Sequence, residues 1–223
     1  MKKVLKSVFL AFIMALLFFS VSASANESTR LGKWSAENFD PENGLSVKQY
    51  MVLDNMGYIE LLQEAHIKGE KITFTSKINN LDVKFIIYDD TFFAYLPKFP
   101  FIHIKTPAEG FDFDALLTPD SSEESRFLQS YETTLYSRSY YVEEFLSVNE
   151  YDEELIIKAY FIGDELKFME HPYNIDGYNV TLRTEILSIN VDDKVFKVPF
   201  FSINIYPLIK FFFNNISDIF VYI

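Results

Sequence analysis

The chain has 223 residues, with 20 basic against 32 acidic side chains, a net charge of -12, 24 Phe, 14 Tyr and no Cys. The absence of Cys excludes disulfide frameworks, thiol nucleophiles and cysteine-ligated metals. An acidic balance lacks the basic face that a phosphate backbone requires, so no nucleic-acid partner is expected; an apolar content of 49% excludes a disordered chain.

The chain opens on Lys2, Lys3 and Lys6, an apolar run from Val8 to Val21 and the small-residue site Ala23-Ser24-Ala25. This order is that of a secretory signal peptide, with cleavage near Ala25 and export to the secreted, periplasmic or cell-wall space. The run is shorter than the roughly 20 residues that a spanning helix needs, so no transmembrane span is expected after cleavage. No Cys follows it to carry a lipid anchor. The leading 25 residues hold three Lys and no acid, so the remainder carries 17 basic and 32 acidic residues, a net -15. Such a surface stays soluble and repels anionic membranes.

Residues 26–46 read as a polar lead-in, turn-rich from Asn38 to Gly44, with Trp34 as a docking side chain. A domain follows over 47–199. A weak helical pattern covers Ser46 to Met56. Alternation then dominates, which indicates half-buried strands. A strand ending at Ile67 is followed by Ile72–Ile78, Leu81–Tyr88 and Thr91–Leu96, separated by Lys68-Gly69-Glu70, Asn79-Asn80 and Asp89-Asp90. Asn, Asp and Gly at such positions tolerate the left-handed backbone of tight hairpins.

A helix is expected next. Thr118 suits the N-cap, Pro119 the first turn, and Asp120, Glu123 and Glu124 the positive end of the dipole, with Phe127, Leu128 and Tyr131 as its apolar stripe. A second meander runs through Tyr140–Val148, Leu155–Ile162, Glu165–Glu170 and Asn179–Asn190. In it Leu155, Ile157, Ala159 and Phe161 share a face, as do Leu166 with Phe168 and Leu182 with Ile186. The sum is an α+β domain with about eight or nine antiparallel strands, or more, and a few helices. The apolar tail over 200–223 is interrupted by Lys210, Asn214, Asn215 and Asp218. It packs on the domain or serves a protein partner.

Catalytic signatures are missing: there is no G-x-S-x-G, H-E-x-x-H or G-x-x-x-x-G-K. His66, His103 and His171 lie in separate segments without ligand spacing, so no metal site and no cofactor are expected. Glu143-Glu144 sits between aromatic residues on one strand, so one carboxylate must point inward. It is either a general acid or ligand anchor, or a charge that protects a sheet edge. A hydrolase would need a second inward carboxylate within about 5–10 Å.

The segments Tyr140-Tyr141-Val142-Glu143, Tyr160-Phe161-Ile162-Gly163-Asp164-Glu165-Leu166 and Phe196-Lys197-Val198-Pro199, in this order, resemble exported bacterial proteins of the outer-membrane lipoprotein carrier fold, the LolA/LolB group. The resemblance implies an antiparallel sheet curved into an incomplete barrel over helices, an apolar cavity for a lipid or acyl chain, and no covalent chemistry. Phe74, Phe85, Ile87, Leu155, Ile157, Phe161, Leu166, Phe168 and Ile186 would line that cavity, or else form a filled core. No arginine matches the carrier's gating position, and the tail beyond Pro199 departs from the pattern.

Overall fold

A computed structural model describes residues 28–53, 58–78, 81–89, 91–108, 125–148, 154–175, 178–199 and 202–207. They are mainly β. Twelve strands form one open sheet: β1 (Leu45–Leu53), β2 (Tyr58–Lys68), β3 (Lys71–Ile78), β4 (Leu81–Tyr88), β5 (Thr91–Tyr95), β6 (Ile102–Pro107), β7 (Arg126–Leu135), β8 (Arg138–Val148), β9 (Glu154–Ile162), β10 (Glu165–Ile175), β11 (Tyr178–Ser188) and β12 (Ile203–Asn204). Their order across the sheet is β12-β6-β5-β4-β3-β2-β1-β11-β10-β9-β8-β7. Two antiparallel meanders, β1 to β6 and β7 to β11, are therefore joined where β1 pairs with β11, and β12 adds in parallel at one edge.

The eight strands expected from alternation are present as β2 to β5 and β8 to β11; the turn residues 79–80, 90 and 176–177 are outside the described residues. Asp89 and Gly163 turn at φ +48° and +62°. Two helical readings are overturned where the residues are described. Ser46 to Leu53 lies on β1, where alternation buries Leu45 and Val47 and continues through buried Gln49; residues 54–56 are outside the described residues. Phe127, Leu128 and Tyr131 lie on β7; residues 118–124 are outside the described residues. Among the described residues the α-helix is α1 (Arg30–Asn38), inside the lead-in, accompanied by a short 3-10 turn at Asp193–Phe196. Most of the tail, 208–223, also lies outside the described residues.

α1 starts at Thr29, whose hydroxyl accepts from the Gly32 N–H at 3.0 Å, and ends at Phe39 before Pro41. Leu31 and Trp34, three residues apart, turn the same side toward the sheet. They join Leu45, Val47, Ala65, Ile67, Ile72 and Phe74 on one meander, and Phe145, Ile157, Ala159, Phe161, Leu166 and Met169 on the other, in one buried cluster. The opposite face of the sheet carries two smaller clusters. In one, Phe196 of the 3-10 segment and Val191 just before it pack with Ile86 and Phe93. In the other, Tyr140, Val142, Tyr160 and Phe168 pack together.

Gly44 shows how tightly the lead-in meets the sheet. Its φ is +78°, and a Cβ there would sit 2.4 Å from the Ile67 carbonyl oxygen. Gly69 has a similar φ of +51°, but its surroundings are open. Both Ala substitutions carry backbone strain of about 1–3 kcal/mol, and Gly44→Ala adds the clash. Denaturant unfolding should therefore show Gly44→Ala clearly less stable than Gly69→Ala; equal losses would contradict this packing.

Candidate ligand-binding face

The helix-facing side of the sheet follows directly from strand alternation and register. Phe74 of β3 pairs with Phe85 of β4, and their rings stack at 4.7 Å. Phe85 also lies 5.8 Å from Phe92 of β5. Ile72 pairs with Ile87, and Val47 with Ile186. On the second meander, Phe145 pairs with Ile157 and Ser147 with Leu155, while Phe161 pairs with Leu166. Eight of the nine apolar candidates thus share this side. Phe74, Ile87, Ile157, Phe161 and Leu166 are buried, and Phe85, Leu155 and Ile186 are half-buried.

Phe168 does not share it. The β9–β10 register slips between Leu166 and Phe168, so Phe168 pairs with Tyr160 and Met169 with Ala159. A one-residue bulge exchanges the faces of everything beyond it. Phe168 therefore stacks on Tyr160 at 4.3 Å on the opposite side, and Met169 takes the inward place.

One row on the helix-facing side is polar. Ser76 of β3 pairs with Gln63 of β2, which pairs with Gln49 of β1, which pairs with Thr184 of β11. All four are buried. Gln63 Nε2 donates to Gln49 Oε1, and Gln49 Nε2 donates to Thr184 Oγ1 at 3.4 Å. Counting by twos from Val47 and Phe74 would have placed Gln49 and Ser76 inside, although polar side chains at core positions are discounted in such a count.

Both members of Glu143-Glu144 are buried, on opposite faces. Glu143 Oε1 accepts from the Arg30 backbone N–H at 2.8 Å, and Oε2 from the Leu31 N–H at 2.9 Å. It caps the first turn of α1, which has no acidic residue of its own. Arg30 completes the junction, with its guanidinium 3.9 Å from the Tyr141 ring centroid and donating to the Gly163 carbonyl at 2.8 Å. On the other face, Glu144 accepts from Gln129 at 2.7 Å and Tyr131 at 2.9 Å and lies 3.1 Å from Lys158. Burial opposes its ionisation, yet these hydrogen bonds hold its carboxyl below the ordinary range. The two carboxylates are thus committed to separate structural partners, with no paired acid and base.

The opposite face holds two further polar groupings that sequence motifs did not signal. Arg183 donates through Nε to Glu170 at 2.9 Å and lies 4.5 Å from the centre of the Phe168 ring. Tyr160 donates to the same carboxylate at 2.8 Å. Burial and the Glu170 charge push the Tyr160 hydroxyl well above its ordinary value. Ser46 Oγ lies 2.7 Å from His66 Nδ1, and His66 Nε2 lies 3.5 Å from Glu64 Oε1. Burial lowers the His66 pKa, which keeps the ring neutral near pH 7. The order is that of a nucleophile, a base and an orienting acid. Ser46 is buried, at 6% exposure. The grouping is a cross-strand ladder that holds the β1–β2 register.

No group of three or more metal-ligating side chains occurs among the described residues, and none of their helices is long and apolar enough to cross a membrane. No family model and no curated protein matches the chain. Among solved structures, it is similar to a LolA superfamily protein from Nitrosomonas europaea, at 8% identity and a TM-score of 0.29, over 74% of this chain and 94% of that one. It is also similar to a domain from Vibrio parahaemolyticus named for outer-membrane lipoprotein sorting, at 8% identity and a TM-score of 0.29, over 75% of this chain and 94% of that one.

Two outcomes check the site. Glu143→Ala leaves the Arg30 and Leu31 N–H groups, the second of them buried, without their charged acceptor and should cost about 3 kcal/mol, read by denaturant unfolding together with loss of Trp34 burial in fluorescence. His171 is buried, which lowers its pKa from 6.5 to about 4. Between those values the unfolded chain binds a proton that the folded chain does not, so stability falls as pH drops through this window and is unaffected above it. The share should reach about 3 kcal/mol at the acid end. His171→Gln should remove that share in urea midpoints compared at neutral and acid pH, leaving the same-direction contributions of His66 and His103 in place.

Proposed function

We propose that this chain is an exported, carrier-like binding protein that holds an acyl chain of a lipid or lipopeptide against the helix-facing side of its sheet and does no covalent chemistry. The observation that supports this reading is the mismatch between that side and its cover. Apolar residues line it from β1 to β5 and from β8 to β11. Against them, among the described residues, stands a helix of nine residues, about 14 Å long at 1.5 Å per residue, on a sheet roughly 50 Å wide at 4.8 Å per strand. Phe85, Leu155 and Ile186, half-buried at the margins of the cluster, are the residues an acyl chain would meet first. Each methylene removed from water contributes about 0.8 kcal/mol, so a chain of ordinary length offsets the cost of association. Phe74, Ile87, Ile157, Phe161 and Leu166 form the floor beneath it.

Organic extracts of the native purified protein should contain an acyl species by mass spectrometry, and a fluorescent fatty acid should bind the delipidated chain. Phe85→Ala should weaken that binding about tenfold. An extract free of lipid together with no fatty-acid binding would remove this reading. Export is tested separately: the mature protein should begin at Asn26.

A second reading is favoured by one observation. At the β6–β12 edge, Phe99, Phe101, Ile102 and Ile203 are all exposed, the last at 67%. An envelope interaction module would use this edge and the apolar residues that follow it. Truncation after Pro199 should leave such a module folded and abolish its binding partner's retention. Global unfolding of the truncated chain would make the segment part of the core.

A further inference from the structure

β6 would be an edge strand of the sheet without β12, and β12 is only two residues long. Few bonds hold the two together. Ile203 donates its backbone N–H to the Phe101 carbonyl at 2.8 Å, and Ile205 donates to the His103 carbonyl at 3.0 Å. Asn204 uses its side chain as a further piece of backbone. Its Oδ1 accepts from the Lys105 N–H at 3.0 Å, and its Nδ2 donates to the Lys105 carbonyl at 3.3 Å. The same oxygen accepts from the Tyr206 N–H at 3.0 Å, which fixes the orientation of the amide. Pro107 ends β6 and has no N–H to offer.

His103, the register partner of Asn204, lies beneath this contact. It is 8% exposed, and its Nδ1 is buried without a hydrogen-bond partner among the described residues. The Phe93 ring lies 6.0 Å away, and Tyr95 is the partner of His103 on β5. Nearby charge is mostly positive. Lys105 stands two residues along β6 with its Nζ over the Phe93 ring, and Lys84 of β4 pairs with Tyr95 in the same row. Asp82 of β4 stands one row further, paired with Lys77. Tyr206 is the titratable group that follows β12. In this acidic chain, residues 91–107 and 194–207 hold four Lys and no Asp or Glu. A proton on His103 therefore adds a buried positive charge beside lysines. Burial and Lys105 both lower the His103 pKa from 6.5, so the closed contact holds the neutral ring.

We infer that β12 is an acid-released clasp: neutral His103 lets it close the β6 edge, and protonation of His103 detaches it while the rest of the sheet stays paired. Once β12 is off, His103 meets water and takes a proton near the ordinary value of about 6.5. The open form gains on the closed form as pH falls below that value, and the balance is constant above it. The outward groups of β6 are then sealed at neutral pH and available for strand addition in acid.

Amide hydrogen exchange of the mature chain tests this, with protection expressed relative to the unstructured rate at each pH. Protection at Ile203, Ile205 and Lys105 should fall about tenfold between pH 7 and 5, while the amides of the β1–β11 seam keep theirs. The His103 ring signal in NMR should titrate together with this opening. In His103→Gln, which takes no proton, the three amides should stay protected across the range. Asn204→Leu should lose protection of the Lys105 amide at both pH values. Equal protection of the three amides at pH 7 and 5 in the parent chain overturns the inference. So does the parent's fall persisting in His103→Gln, or a ring that titrates with the clasp still closed. A matching loss at the seam would mean unfolding of the whole sheet, and overturns it as well.

Discussion

The contact on which this architecture rests is a carboxylate seated at the start of a helix. α1 brings no negative charge to its own first turn, and the N–H groups of half-buried Arg30 and fully buried Leu31 need an acceptor there. Glu143 supplies both acceptor oxygens from the middle of β8, across a separation of 112 residues from Leu31. A buried carboxylate without partners is costly, and buried N–H groups without acceptors are costly too. Each removes the other's penalty. With that bond in place, Leu31 and Trp34 meet residues of both meanders, so one polar contact orients the packing of the whole helix-facing core.

That seating also separates the two faces chemically. On the helix-facing side, apolar residues dominate and a single polar row crosses the centre. On the opposite side, charged side chains are paired locally: Glu144 with Lys158, Glu170 with Arg183, Glu64 with Lys48, and Asp193 with Lys68 and Lys71. These pairs stand on the face that the 3-10 segment shares with solvent, whereas Glu143 on the helix-facing side is spent on the start of α1. The face under the helix remains suited to hydrocarbon.

Alternation made eight strands legible, because each shows hydrophobic residues at every second position between turn residues. Four strands were missed, β1, β6, β7 and β12, and two of them break the pattern for identifiable reasons. β1 carries Gln49 inside, in hydrogen-bonded register with Gln63 and Thr184. β7 has a bulge at Leu128, so Phe127, Leu128 and Tyr131 fall at a spacing that imitates a helical stripe, and as an edge strand it lacks a buried face to sharpen the count. Phe168 was assigned to the wrong side because a bulge in β10 has no residue signature of its own. α1 was hidden because a short helix without an acid in its first turn does not announce a terminus; its stabilising charge is remote in sequence. Eight of the nine apolar candidates share one side of the sheet, since a shared side is a matter of parity. The role of Glu143 was beyond reach, since that depends on which distant backbone meets it.

The pairing of β1 with β11 gives the chain a particular order of assembly. Gln49 and Thr184 stand side by side although 135 residues separate them. Each meander consists of neighbouring hairpins, whose loops close at small entropic cost. The seam between them is the most non-local strand pairing in the sheet and cannot form until β11 exists. Contacts of this range slow folding. During synthesis the hairpins of the first meander can thus form along β2 to β6 while β1 still exposes one edge. The centre of the finished sheet stays an open edge until β11 arrives, and in that interval the chain is open to capture by another strand.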